Sequence, residues 1–372
     1  MLTDPRIKKM AEVLIRYSLE ARAGDLLQIN ASPVAAPLVE ECYRQALLAG
    51  ANPFVDLHLP ALTEIFYRTA GDAQLDFVSP LDEWKLEHAD ARLQILSDTN
   101  TKALTTVDPA KQARVGQARR GLTRRFLERD AGGELRWSVA MYPTEAYAQD
   151  AELSVDELAE FIFAACLLDE ADPVAAWRAL GARQQRLVDW LAGKREVRLV
   201  GDGTDLTLSI AGRTFINDDG KKNFPGGEVF TGPVEESASG TVRFTYPAVY
   251  GGKEVADVRL RFEGGRVVEA TAAKNDDLLQ QLLGMDEGAR RLGEFAFGTN
   301  HGIGRFTRNT LFDEKIGGTV HLALGASYPA TGGRNQSALH WDMVCDLRDG
   351  GAVYVDGEPF MQDGRYLVED GA

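Results

Sequence analysis

The 372-residue chain has little cysteine: Cys42, Cys166 and Cys345 are odd in number and far apart. That excludes a disulfide framework and leads to the expectation of a cytoplasmic protein. Cys166 lies in an apolar helical stretch and reads as a buried thiol. Long hydrophobic runs are also missing. No segment approaches the roughly 18 consecutive apolar residues of a spanning helix, so no membrane partner is expected. Met1-Leu2-Thr3-Asp4-Pro5 leads straight into an amphipathic pattern and shows no signal peptide. Positive charge is scarce: 41 Lys and Arg stand against 56 Asp and Glu, a formal charge of −15, which argues against nucleic acid as a partner. With 44% hydrophobic and 26% charged residues, the chain is neither disordered nor collagen-like. At about 150 residues per domain, its length predicts two to three domains.

Several catalytic signatures fail. Gly201-Asp202-Gly203 begins like a dinucleotide fingerprint, but Leu206 stands where the third glycine belongs, so it reads as a hairpin turn. Gly220-Lys221-Lys222 lacks both the Ser or Thr and the earlier glycine of a phosphate loop. Neither Gly-x-Ser-x-Gly nor His-Glu-x-x-His occurs. Arg114, Arg119, Arg120, Arg124, Arg125 and Arg129 form a basic cluster, read as a solvated helix face or as partners for the protein's own acids.

Hydropathic period divides the chain. Ile7, Met10, Ala11, Leu14, Ile15 and Leu19 recur at helical spacing. Asp25 to Asn30, Pro53 to Leu57 and Ala91 to Leu96 read as strands, with a helix over Pro33 to Gly50 between the first two. Ser154 and Glu157 form a capping box, and an apolar stripe from Val174 to Leu191 ends at Gly193. From Arg195 the period becomes two, as in Leu206 to Ile210 and Val258 to Phe262, with one helical stretch over roughly Asn275 to Leu292. These patterns predict an α+β or α/β chain. An N-terminal α/β domain with an open, mostly parallel sheet occupies 1–194. A mostly antiparallel β domain with few helices occupies 195–372.

Histidine is scarce too, yet three of the five, His301, His321 and His340, fall within forty residues. His340 and Asp342 lie in the strand-like run Ala338 to Val344, and residues two apart on a strand share a face. They form a ligand pair suited to a first-row metal. His321 sits in an apolar run framed by glycines. The blander reading makes His321 a satisfied core residue and has His340 hydrogen-bond beside Asp342. Glu228 and Glu294 are lone acids, each opening a short apolar segment just after a glycine. Composition alone does not single them out among 56 acids.

Five ordered motifs carry a resemblance: Gly-Gly-Glu-Val-Phe-Thr-Gly-Pro at 226–233, Leu-Gly-Glu-Phe-Ala-Phe-Gly-Thr-Asn at 292–300, Asp-Glu-Lys-Ile-Gly-Gly-Thr-Val-His-Leu-Ala-Leu-Gly at 313–325, Ser-Tyr-Pro at 327–329 and Asn-Gln-Ser-Ala-Leu-His-Trp-Asp at 335–342. The chain resembles the thermophilic aminopeptidase family of metallopeptidases, the aminopeptidase T-like enzymes. The resemblance implies two divalent ions in the second domain, zinc or cobalt first, manganese or magnesium as alternatives. It implies Glu228 on one ion, Glu294 bridging both, and His321, His340 and Asp342 completing the shells. It assigns Tyr328, seven residues after His321, as the catalytic tyrosine. Without the resemblance, Tyr328 reads as a phenol packed beside Pro329. Asp313, Glu314 and Lys315 are left outside the site, in a supporting role. Only nineteen positions separate His321 from His340, fewer than in some relatives, which bears on the mouth of the site and on substrate preference. The family further implies a homodimer in which the N-terminal half covers the partner's cavity, admitting short peptides.

Such a centre suits amide hydrolysis: paired ions lower the pKa of a shared water and polarise the scissile carbonyl. Two rivals stand beside the aminopeptidase. One is a di-metal hydrolase of another amide or ester. The other is a non-enzymatic small-molecule-binding protein whose histidine cluster is structural.

Overall fold

A computed structural model describes residues 4–368. Met1–Thr3, part of the segment from which the lack of a signal peptide was read, lie outside the described residues. The chain forms two compact units. One comprises the chain up to Val174 with Gly220–Pro225, and the other comprises Ala175–Asp219 and the chain from Gly226 onward. Strands are numbered along the chain. Among the described residues no helix is long and apolar enough to cross a membrane.

The first unit is built on a five-stranded sheet in the order β2-β1-β3-β4-β8. These strands are β1 (Leu26–Ala31), β2 (Asn52–Leu57), β3 (Ala91–Leu96), β4 (Arg136–Met141) and β8 (Asn223–Phe224). Every pairing among them is parallel. β1 to β3 follow the expected apolar runs. β4 carries no apolar run that would mark it in the sequence, because Arg136, Trp137 and Ser138 interrupt it. The stripe Ile7 to Leu19 is buried, with a π turn at Leu14–Ser18 after the helix Pro5–Val13. At Ser154 the capping box forms: Glu157 N–H donates to Ser154 Oγ at 3.2 Å, and Ser154 N–H donates to Glu157 Oε2 at 2.8 Å. Most of the basic cluster pairs with the protein's own acids, and Arg129 is buried. Arg114 Nε donates to Asp76 at 2.6 Å, Arg125 Nε donates to Glu87 at 2.7 Å, and buried Arg129 donates to the Ala89 carbonyl at 2.9 Å.

The second unit carries two larger antiparallel sheets. The eight-stranded one has the order β14-β13-β10-β6-β5-β18-β19-β20. It comprises β5 (Glu196–Gly201), β6 (Thr204–Ser209), β10 (Ser239–Arg243), β13 (Arg259–Glu263), β14 (Arg266–Thr271), β18 (Ala352–Val355), β19 (Glu358–Gln362) and β20 (Arg365–Tyr366). The five-stranded one has the order β17-β16-β15-β9-β7. It comprises β7 (Ile216–Asp218), β9 (Glu228–Thr231), β15 (Leu292–Gly298), β16 (Thr319–Gly325) and β17 (His340–Asp346). β11 (Ala248–Tyr250) and β12 (Lys253–Val255) form a hairpin. Asp202-Gly203 is the turn between β5 and β6, with Gly203 at φ +68°, as the failed fingerprint suggested.

The strand period starts at β5, but the second unit starts earlier. The helix Pro173–Leu191 buries Leu187 and Leu191 in the core of this unit, beside Val197, Leu199 and Phe360. The expected helix over Asn275 to Leu292 is shorter. It spans Asp276–Leu283 and stops at Gly284, a 3-10 turn follows at Gly288–Arg290, and Leu292 already belongs to β15. Phe295, Phe297, Val320, Leu322, Leu324, Trp341 and Met343 point into the core from one face of the five-stranded sheet.

Candidate metal centre

The alternation that sends those residues into the core sends their neighbours to the opposite face. The register sets Glu228 opposite Gly298, His321 opposite Ala296, and Asp342 opposite Ala323, which itself pairs with Glu294. Glu228, Glu294, His321, His340 and Asp342 therefore share one face of one sheet. The glycines before the two glutamates have a steric reason. Gly227 has φ +121°, and a Cβ there would strike Asn300, while a Cβ on Gly293 would strike the Gly325 carbonyl.

The side chains converge. His321 Nε2 lies 3.3 Å from Glu294 Oε1 and 3.4 Å from Glu228 Oε2. His340 Nε2 lies 3.5 Å from both Glu294 Oε2 and Asp342 Oδ2. Three overlapping groups each offer ligand atoms within 4.8 Å of one another: Glu228 with Glu294 and His321, Glu294 with His340 and Asp342, and Glu314 with His321 and Asp342. Glu294 belongs to two of them and turns one oxygen toward each histidine.

Both imidazoles are oriented from behind. His321 Nδ1 is 2.8 Å from the Glu314 carbonyl, and His340 Nδ1 is 2.9 Å from the Ala326 carbonyl. A carbonyl only accepts, so each Nδ1 donates to its carbonyl, and Nε2 is the nitrogen that each ring turns toward the carboxylates, holding a proton without metal and a lone pair for an ion once that proton leaves. Glu228 Oε2 and Asp342 Oδ1 are buried without a hydrogen-bond donor. Buried carboxylate oxygens demand a cation. Lys315, fully buried, meets part of that demand. Its Nζ contacts Glu314 and lies 3.4 Å from Glu228 Oε1 and 3.8 Å from Asp218 Oδ2. The charge deficit, the orphaned oxygens and the paired N and O donors fit divalent metal.

Without metal the cluster retains protons. Burial raises the Glu228 carboxyl well above the ordinary carboxylate range and raises that of Glu294 as well. Burial works against a charged His321, but its hydrogen bond to Glu294 and the charge of Glu228 outweigh it and raise the imidazole to about 10. His340 is raised in the same way, by Asp342 and then Glu294.

Tyr328 follows β16, with its ring 5.3 Å edge-on from the His340 ring and 5.5 Å from Phe230. It remains 48% exposed. Partial burial, then the charges of Glu294 and Asp342, raise its phenol, so it keeps its proton at neutral pH. Glu314 and Lys315, set aside on sequence, are brought against the cluster. No periodic signal marks them, because they lie in the turn between the helix Thr310–Asp313 and β16. Asp313 points elsewhere and accepts from Thr307 N–H at 2.7 Å and from its hydroxyl at 2.9 Å. His301 is not a member of any of the three groups.

The family described as thermophilic metalloprotease (M29) matches residues 3–366. Aminopeptidase 2 of Geobacillus stearothermophilus is 30% identical, with 98% of each chain covered. Aminopeptidase T of Thermus thermophilus is 29% identical, covering 97% of this chain and 98% of its own. The solved structure of wild-type AmpT from Thermus thermophilus superposes with a TM-score of 0.85 at 28% identity, over 98% of this chain and 99% of its own. Two units of this architecture, a buried carboxylate–histidine face and a match along nearly the whole sequence have one explanation: the chain belongs to the thermophilic metalloprotease (M29) family.

Proposed function

We propose that this chain removes the N-terminal residue from short peptides, using water activated by two divalent ions held in the second unit. Its membership of the family makes it a metallopeptidase, which answers the reading as a binding protein with a structural histidine cluster. The observation that carries the finer reading is the position of Glu294, whose two oxygens face two different histidines 3.3 and 3.5 Å away.

Glu228 and His321 would hold one ion, His340 and Asp342 the other, with Glu294 between them. Imidazole and carboxylate donors suit zinc or cobalt, with manganese or magnesium as alternatives. When bound, such ions make hydroxide available near neutral pH and polarise the substrate carbonyl. The protein's own groups do the rest. Carbonyls of Glu314 and Ala326 hold the imidazoles in the tautomer that leaves Nε2 free. Lys315 fixes the Glu228 carboxylate from the side away from His321. The protonated Tyr328 hydroxyl donates a hydrogen bond to the oxyanion as the carbonyl becomes tetrahedral.

A homodimer and a cytoplasmic location go with this reading. Cys42, Cys166 and Cys345 are buried and form no disulfide, as a reducing compartment would leave them. Gel filtration with light scattering checks the first; an active monomer contradicts it. Function is tested by treating the protein with chelator, restoring zinc or cobalt, and comparing a free peptide with its N-acetylated form. Metal-restored release of the first residue from the free peptide alone is expected. Equal cleavage of the acetylated peptide, or of an unrelated amide or ester, would favour a di-metal hydrolase of another class.

A further inference from the structure

Strands buried between layers in a parallel sheet are normally apolar on both faces. One face of the first unit's sheet obeys: Leu27, Ile29, Leu93, Ile95 and Ala140 are fully buried. The other does not. The register aligns Asp56, Asn30 and Gln94 in one row and Gln28, Arg92 and Trp137 in the next. This polar face lines a cavity of about 750 Å³ whose walls include residues of the helices Pro80–His88 and Arg120–Ala131. That volume lies within the roughly 300–1,000 Å³ of small-molecule sites.

The charges in the cavity do not cancel. Lys85 pairs with Asp56, and Arg119 Nη2 lies 3.9 Å from Asp82 Oδ2. Arg92 has no carboxylate within ion-pair distance among the described residues. Its Nε and Nη2 lie 3.0 and 3.3 Å from the Asn30 side-chain amide, placed to donate to the amide oxygen. Burial depresses the Arg92 pKa, the mark of a poorly solvated cation. Trp137 Nε1 is buried and has no acceptor. Phe126 packs at a tilt against the Trp137 ring, 5.6 Å between centroids, and Leu86 and Leu122 also line the cavity as apolar residues. The site thus offers a surplus cation, an unused N–H donor and a flat apolar wall, in a chain whose formal charge is −15.

We propose that this cavity is a second ligand site, taking a small organic carboxylate with an apolar or aromatic body. The carboxylate pairs with the planar Arg92 guanidinium and accepts from Trp137 Nε1, while the body lies along Phe126, Leu86 and Leu122. Both free amino acids released by peptide hydrolysis and other organic acids carry this chemistry. The site lies wholly within the first unit, and its test does not depend on peptidase activity.

The test uses the full chain, titrated calorimetrically and by tryptophan fluorescence with benzoate, phenylalanine and inorganic phosphate as probes. Saturable binding of benzoate, one per chain, is expected, weakened at least about tenfold by Arg92→Gln, the loss of roughly one charge-assisted hydrogen bond. Leu122→Trp, which narrows the cavity from its rim, should abolish it independently of Arg92. Arg119→Gln should leave it intact. Phenylalanine binding as well as benzoate makes the enzyme's own product the source; benzoate alone makes it another organic acid. Phosphate binding as tightly as benzoate, benzoate binding indifferent to both Arg92→Gln and Leu122→Trp, or no saturation up to about 10 mM each overturns the proposal.

Discussion

At the scale of single residues, the centre is a set of groups that need one another. Lys315 is fully buried, and replacing it with methionine leaves Glu228, Glu314 and Asp218 facing one another without their cation. Lys315→Met should cost the metal-free protein about 3–5 kcal/mol, measured by denaturant unfolding, and less once metal is loaded. Tyr328→Phe removes one hydroxyl from a half-exposed ring. It should lower kcat about 100- to 1,000-fold with metal content and melting temperature unchanged, if the phenol acts on the oxyanion. His321 titrates near 10 in the folded metal-free state against an ordinary 6.5. A raised pKa stabilises the fold fully below 6.5, and that contribution is lost as pH rises through 10. The melting temperature of metal-free protein should therefore fall between pH 6.5 and 10, a fall seen by calorimetry and blunted in His321→Gln. Metal binding competes with the same proton, so the loaded protein should gain metal affinity over that range.

At the scale of elements, what was legible depended on period. His340 and Asp342 stand two apart on β17, so strand alternation alone put them on one face. Glu228 and Glu294 start their segments after glycine, and only a family resemblance distinguished them from the other acids. The structure adds the reason for the glycines: Gly293 passes against the Gly325 carbonyl where β15 is bulged beside β16. Gly293→Ala should destabilise by about 1–3 kcal/mol and displace Glu294, detected as lost metal affinity. Glu314 and Lys315 escaped because a turn has no period to read. β4 escaped for a related reason: its Trp137 faces a polar cavity, so its pattern never resembled a buried strand. The helix Asp276–Leu283 is shorter than expected because Gly284 caps it and Leu292 already belongs to β15.

At the scale of the whole molecule, each unit has its own sheet and its own chemistry. The second unit has an apolar sheet interface behind a charged face, so the proposed metal ligands ride on strands whose other side chains are locked in the core. That arrangement holds the side chains rigidly, with the Glu314 and Ala326 carbonyls and Lys315 orienting them from adjoining turns. The central claim is that Glu294 joins two cation sites into one. Titrating chelator-treated protein with cobalt, while measuring bound ions per chain and peptide hydrolysis together, tests it most directly. Two ions per chain are predicted at full activity, with Glu294→Ala losing both ions and His340→Ala keeping one ion but little activity. Full activity at one ion per chain, or two ions retained by Glu294→Ala, would contradict it.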